Sequence, residues 1–263
     1  MVVLQVIGGG RMGEALVGGL VRAGTVAAPD VLVVEPVDAR RDALARLLPG
    51  VGLAVEPAAA EGTVIAVKPA DVPTACRAAA AAGTGRVLSI AAGVTTAALE
   101  AELRPGTAVV RAMPNTPALV GKGAAAIAPG AAATDADLAW AESLLGAVGT
   151  VVRVKEAQLD AVTGLSGSGP AYVFLVAEAL VDAGVLAGLP RDVSHALAVQ
   201  TLLGAATLLA EGDDGPEALR AAVTSPGGTT AAGLRVLEQR GVRAAFLDAV
   251  AAATERSKQL GGH

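Results

Sequence analysis

The chain changes its repeat near Lys155, and that change limits its possible folds more than any single motif. Before it, short apolar runs at 2–7, 31–34, 63–67, 86–90 and 107–110 alternate with helix-length, alanine-rich segments. Such alternation predicts a parallel sheet covered by helices on both faces. The first helix is expected over 12–23, with Leu16, Leu20 and Val21 on its apolar side, and the second over 38–48. Two further apolar runs, 124–128 and 150–154, flank a helix at 135–145 and could extend the sheet. After Lys155 no strand pattern returns. Helical segments begin instead at Glu156, Pro170, Pro190, Pro216 and Thr229. The three prolines sit where a helix starts, the position at which a missing N–H costs least. The expected organisation is an α/β domain over 1–155 and an all-α domain over 156–263.

Composition narrows the class. The 263 residues are 53% hydrophobic but only 2% aromatic, so the core must be built from Ala, Val and Leu. Small side chains give each helix little burial energy of its own, and extensive helix–helix packing, including packing between subunits, must compensate. A net charge of −5 with no Lys/Arg-rich run argues against nucleic acid as a partner. No uninterrupted apolar run reaches the ~18–20 residues of a membrane span, because Glu178 and Asp182 interrupt the best candidate at 169–189. The first residues lead straight into a strand pattern without a charged leader, so a cytoplasmic, non-membrane protein is expected. One cysteine, Cys76, and two histidines, His195 and His263, leave no multi-cysteine or imidazole metal site, and no metal is expected.

Gly8-Gly9-Gly10-Arg11-Met12-Gly13 fits the pattern GxGxxG between the first strand and the first helix. In that context Gly8 makes the tight turn, Gly10 admits a pyrophosphate, and Gly13 lets helix and strand pack closely, with Arg11 and Met12 opening the helix. The first domain is therefore a Rossmann-type dinucleotide-binding domain. Glu35 closes the second strand about 20 residues later, where an acidic side chain accepts from a ribose 2′-hydroxyl and repels a 2′-phosphate. Arg40 and Arg41 follow closely and could bind such a phosphate or simply form a solvated helix face. The choice between NAD(H) and NADP(H) stays open.

Ser225-Pro226-Gly227-Gly228-Thr229-Thr230 is a second glycine loop, ahead of a helix expected to run to Val242. Uncovered N–H groups and the helix dipole make it a site for a small anion.

The segment from Leu219 to Glu238 that contains this loop resembles the signature of pyrroline-5-carboxylate reductases. The same family resemblance is carried, in order, by Ala66-Val67-Lys68-Pro69, by 89–95 (Ser-Ile-Ala-Ala-Gly-Val-Thr), by 111–117 (Arg-Ala-Met-Pro-Asn-Thr-Pro) and by 160–172. It spans essentially the whole chain. It implies NADPH- or NADH-dependent reduction of the cyclic imine 1-pyrroline-5-carboxylate to L-proline, and an all-α C-terminal domain that dimerises by interlocking. Some members assemble dimers into larger rings. The resemblance also implies that the substrate lies between nicotinamide and the 225–230 loop, that Thr230 presents its hydroxyl to the ring nitrogen as the catalytic residue, and that Ser225, Gly227, Gly228 and Thr229 hold the substrate. Glu156 matches a family glutamate near bound product, although an ordinary acidic residue at a helix start reads the same way. On the cofactor side it implies Ala66, Val67, Lys68, Pro69, Ala91, Ala92 and Gly93. The chain departs from the family pattern at Gly215-Pro216-Glu217, where many members have His-Pro-Gly, and at Ala221 and Ala222, where polar groups are usual. Glu35 also replaces the small polar residue of many NADPH-preferring relatives.

The chemistry suits the residues present. A cyclic imine needs orientation within ~3–3.5 Å of a hydride donor rather than a metal or covalent nucleophile. The alternatives are a related two-domain enzyme acting on a different imine or on a hydroxy acid. Those that reduce a carbonyl or oxidise a hydroxyl usually need a Lys or His acid/base in the second domain, where only Lys258 and the histidines are available. A non-catalytic dinucleotide-binding protein would not need an intact 225–230 loop. His195 reads as a packed or interfacial residue, Cys76 and Trp140 read as packing residues, and Ser166 and Ser168 lack the nearby histidine of a hydrolase nucleophile.

Overall fold

The computed structural model describes residues 2–261. By contacts the chain divides into two units, residues 2–168 with 251–261, and residues 169–250.

The first unit opens with β1 (Val2–Ile7), α1 (Arg11–Arg22), β2 (Val31–Val34), α2 (Asp38–Leu47), β3 (Gly52–Ala54) and β4 (Ala60–Ile65). It continues with α3 (Val72–Ala82), β5 (Arg86–Ser89), α4 (Thr96–Ala101), β6 (Ala108–Met113), β7 (Gly123–Pro129), α5 (Asp135–Gly146) and β8 (Gly149–Arg153). The strands form one sheet in the order β3-β2-β1-β4-β5-β6-β7-β8. The first six strands are parallel, as the alternating pattern predicts. β7 departs from it: it lies antiparallel to β6, and β8 runs parallel to β7. The short 3₁₀ connection at Thr116–Val120 explains the reversal, since a parallel return needs a crossover of a dozen or more residues.

Side-chain alternation splits the apolar core between the two faces of the sheet. Val33, Val64, Leu88 and Val110 join Leu16, Leu20 and Leu44 on one face. Val34, Ile65, Val87 and Val109 join Val72, Cys76 and Leu99 on the other. This is the period-two burial of a doubly covered sheet, at about 1.5–3 kcal/mol for each large side chain removed from water. Trp140 is a packing residue as expected: it lies against Gly62, and the Arg86 guanidinium sits 4.5 Å above its ring.

Packing does not divide the chain at 155. A 3₁₀ turn at Glu156–Gln158, α6 (Leu159–Val162) and a π-turn at Thr163–Gly167 belong to the first unit. Leu159 is fully buried beside Ala126 and Ala128 of β7, which fixes this segment to the sheet.

The second unit contains α7 (Gly169–Leu186), α8 (Arg191–Glu211), α9 (Pro216–Ala222), α10 (Thr229–Gln239) and the first part of α11 (Val242–Gly261). The expected helix to Val242 stops early because Gly241, at φ +71°, separates α10 from α11. The second unit holds no strand. α7 and α8 pack closely where Ser194 lies on Gly184 and donates to the Val181 carbonyl at 2.7 Å. Elsewhere these two helices leave Phe174, Leu186, Leu197, Leu203 and Leu208 exposed, Leu186 at 91%, and α11 leaves Leu247 exposed. The helical stretches Glu156–Leu186 and Arg191–Glu211 are long and apolar enough, by length and composition alone, to cross a bilayer.

Candidate functional site

Register brings the cofactor-side loops to one edge of the sheet. Ile7 pairs with both Val34 and Ile65, and Ile65 with Ser89, so β1, β2, β4 and β5 end at the same level. The ladder runs one step further, through Gly8 N–H to Val34 (2.9 Å), Ala66 N–H to Ile7 (2.8 Å) and Ile90 N–H to Ile65 (3.1 Å). The glycine loop, Glu35, Ala66–Pro69 and Ala91–Gly93 therefore emerge together at the carboxyl ends of the strands. Because β1 lies between β2 and β4, this is also where the strand order reverses, the usual crevice for a dinucleotide.

The three key glycines divide their work. Gly8 has φ +110°, and a Cβ there would lie 2.5 Å from the Ala66 carbonyl oxygen. A Cβ on Gly13 would lie 2.1 Å from the Gly8 oxygen. Both are needed for packing. A Cβ on Gly10 would meet nothing within 4 Å, so its open face is free for a ligand. Gly10 is the N-cap of α1, and no side chain caps that helix. Its first N–H groups are thus presented to an anion, and the loop fits a dinucleotide pyrophosphate. Arg11 is exposed beside them, while Met12 packs into the core.

A cavity of about 580 Å³ follows from this loop, bounded by Gly8, Gly10, Glu35, Val55, Lys68 and Ala75 among others. Its apolar walls suit a flat base. Glu35 is buried and both its oxygens are engaged: Gly9 N–H donates to Oε2 at 3.1 Å and Val37 N–H to Oε1 at 3.0 Å. Arg40 and Arg41, candidates for a phosphate, have other partners. Arg40 donates to the Gly9 carbonyl (2.6 Å) and to Glu14 (2.5 Å). Arg41 donates to the Glu35 carbonyl (2.7 Å) and to Asp38. Lys68 is exposed at the cavity edge, ahead of the 3₁₀ turn Pro69–Asp71. Glu56 and Asp71 line the same cavity, and sequence reasoning missed both. Their only signal was position just after a strand or loop of the sheet edge.

In the other loop of this face, Ala91 is buried, Ala92 exposed, and Gly93 takes φ +75°. Just beyond it, Glu156 accepts from the Thr96 N–H (2.7 Å), the Thr96 hydroxyl (2.6 Å) and Arg111 (3.0 Å). Burial opposes its charge, but the hydrogen bonds from Thr96 and Arg111 outweigh it and hold the carboxyl below its ordinary range. Glu156 thus ties the start of α4 to β6. With Arg111, Asp160 and Lys258 it borders a smaller cleft of about 330 Å³. Arg111 was visible in the sequence only as the first letter of a motif. Its burial, with a side chain 7% exposed, could not be read there.

The second unit carries the 225–230 loop. Gly227 has φ +69° and open space around it, and Gly228 is the N-cap of α10 without a side-chain cap. One expected donor is used internally, since the Gly228 N–H bonds the Ser225 carbonyl at 3.1 Å. Ser225 also packs its hydroxyl where a Gly228 Cβ would sit, 2.4 Å away. Thr229 and Thr230 open α10, and their N–H groups replace that of Gly228 as the helix-start donors. His195, expected to be packed or interfacial, is exposed and borders a cavity of about 550 Å³ between α7 and α8 with Glu178, Asp182 and Arg191. Cys76 is fully buried, and burial pushes its thiol up to about 11, so it stays neutral and unreactive.

Known proteins match both parts. Residues 3–93 match the family model described as NADP oxidoreductase, coenzyme F420-dependent, and residues 156–260 match pyrroline-5-carboxylate reductase dimerisation. The chain is 47% identical to a pyrroline-5-carboxylate reductase from Synechocystis, covering 98% of each. It belongs to the pyrroline-5-carboxylate reductase family. A solved family structure from Coxiella burnetii superposes with a TM-score of 0.92 at 36% identity, covering 98% of this chain and 97% of that one. Another, from Plasmodium falciparum with NADP bound, gives 0.83 at 29% identity, covering 99% and 98%. The family's nucleotide domain and helical dimerisation domain correspond to the α/β sheet and the all-α region found here.

Proposed function

We propose that this chain catalyses the NAD(P)H-dependent reduction of 1-pyrroline-5-carboxylate to L-proline, the last step of proline biosynthesis. The observation that carries the proposal is that the two glycine loops, at Gly10 and Gly228, each open onto a helix start without a side-chain cap, in a chain of this family. The first, with Gly8, Arg11, Met12, Gly13, Glu35, Ala66–Pro69 and Ala91–Gly93, would hold the dinucleotide. The second would hold the substrate carboxylate, because the N–H groups of Thr229 and Thr230 at the start of α10 favour an anion. Ser225 keeps that turn in shape, and Gly227 leaves room for a ring to approach.

A nicotinamide dinucleotide held by these residues would supply the hydride for the imine carbon. The Thr230 hydroxyl orients the ring nitrogen, which gains a proton as the imine becomes an amine. Glu156, fixed by Thr96 and Arg111, contributes to the site by holding the start of α4 next to the Ala91–Gly93 loop. The exposed apolar faces of α7 and α8 are covered in this reading by a second copy of the chain, with dimers able to build larger rings. Glu178 and Asp182 on α7 favour that cover over lipid. The enzyme is proposed to be cytoplasmic and to use neither metal nor nucleic acid. Following NADH and NADPH absorbance with racemic pyrroline-5-carboxylate tests the activity; no oxidation of either cofactor across a pH series sinks it.

A further inference from the structure

We infer that the dinucleotide site is built for NADH and discriminates against NADPH, with Glu35 as the determinant. The inference rests on the proposed cofactor role of this cavity and concerns only the end that receives the adenosine ribose. Glu35 lies at the β2 carboxyl end, where the carboxylate meets the ribose 2′ position. Its side chain cannot swing aside freely, because Gly9 N–H and Val37 N–H hold one oxygen each at 3.1 and 3.0 Å. Gly9 also packs closely against it: a Cβ on Gly9 would fall 3.2 Å from both the Glu35 Cβ and Oε2. The charge is therefore fixed in place, and each oxygen keeps a lone pair for a ribose hydroxyl.

The counter-charges that a 2′-phosphate would need are absent from the cavity rim or already used. Arg40 spans the Gly9 carbonyl and Glu14, and Arg41 spans the Glu35 carbonyl and Asp38. Moving either guanidinium to a phosphate breaks two charge-assisted or backbone bonds and releases the loop they brace. Around the cavity Glu35 is joined by Glu56 and Asp71, against Lys68 as the one basic lining residue among the described residues. A 2′-hydroxyl can donate to this acidic rim, whereas a phosphate adds close to two negative charges to it. Discrimination here comes from repulsion built against the wrong ligand as much as from a bond to the right one.

The test is a direct binding titration of the full, assembled protein with NADH and NADPH, read by calorimetry without substrate. NADH is expected to bind at least about tenfold more tightly, equivalent to the 1.4 kcal/mol of one decade. Glu35→Gln keeps the size and removes the charge, so it should narrow the ratio mainly by strengthening NADPH. Glu56→Gln, at an exposed position outside the brace, should narrow it less and leaves the loop intact should Glu35→Gln fail to fold. NADPH binding as tightly as NADH to the unsubstituted protein overturns the inference, as does a ratio unchanged in both variants. Absence of binding by either dinucleotide would instead refute the cofactor reading of the cavity, a distinguishable result.

Discussion

The glycine loops before α1 and α10 both end in a helix start without a side-chain cap, yet their surroundings differ sharply. The loop before α1 is set into the sheet: Gly13 is buried against Gly8, Glu35 and Arg40 hold Gly9 from two sides, and strand ladders continue into it. The loop before α10 is braced by Ser225 alone, and most of its residues are exposed. The same backbone chemistry thus occurs once with its walls in place and once without them. A site for a large dinucleotide can be preorganised within one domain. A small imino acid offers few contacts, and walls for it must come from cofactor and from other parts of the assembly, as the family's dimerisation region would provide.

The largest expected effect breaks the first loop. Gly13→Ala puts a Cβ 2.1 Å from a backbone oxygen that cannot move away, and should abolish dinucleotide binding while lowering the melting temperature. Gly10→Ala is the control that sharpens the comparison. Gly10 has φ −65° and open space, so alanine should leave the melting temperature unchanged and weaken only the dinucleotide. Equal melting-temperature losses in the two variants would contradict the division between packing and ligand glycines.

Next in size is the second loop. Thr230→Ala should lower turnover by about 10²-fold, in the range for removing a group that assists proton placement. Because the first loop is complete on its own, dinucleotide affinity measured in parallel should stay the same. An unchanged turnover number refutes the role of the hydroxyl.

The smallest effect concerns Glu156. Its folded-state carboxyl titrates below the ordinary range, so its stabilising contribution is fully present above about pH 4.3 and is lost as pH falls through the lowered value. Glu156→Gln leaves the buried Arg111 without its charge partner and should cost about 2 kcal/mol at neutral pH. Denaturant titrations of both proteins should converge as pH drops below that range. A stability gap that persists in acid would mean that the ion pair contributes nothing.

Much of this was legible in the sequence, for reasons that differ by element. Alternating apolar runs disclosed β1, β2, β4, β5 and β6, because strands buried on both faces are continuously hydrophobic. β3 was not legible: it has three half-buried residues and begins with glycine. The direction of β7 was invisible as well, since an apolar run carries no polarity and only the short connection before it sets the reversal. The glycine loops were readable because glycine is demanded by geometry at Gly8 and Gly13. The brace formed by Glu35 and Gly9 was not, because spacing places a carboxylate at a strand end without saying which amide it meets. Likewise nothing near Asp160 in sequence announces that Ser257 donates to it at 2.7 Å, almost a hundred positions later.

That last bond makes the nucleotide-binding unit a discontinuous piece of chain. Ser257 is buried, and the final turn of α11 comes within 3.8 Å of where a Gly93 side chain would begin. The protein therefore cannot be divided into two portable modules by one cut. A swap of the helical region between relatives that ends at the last residue would also replace the segment that closes the nucleotide side. An exchange that respects the packing needs two junctions, one near residue 168 and one near residue 250.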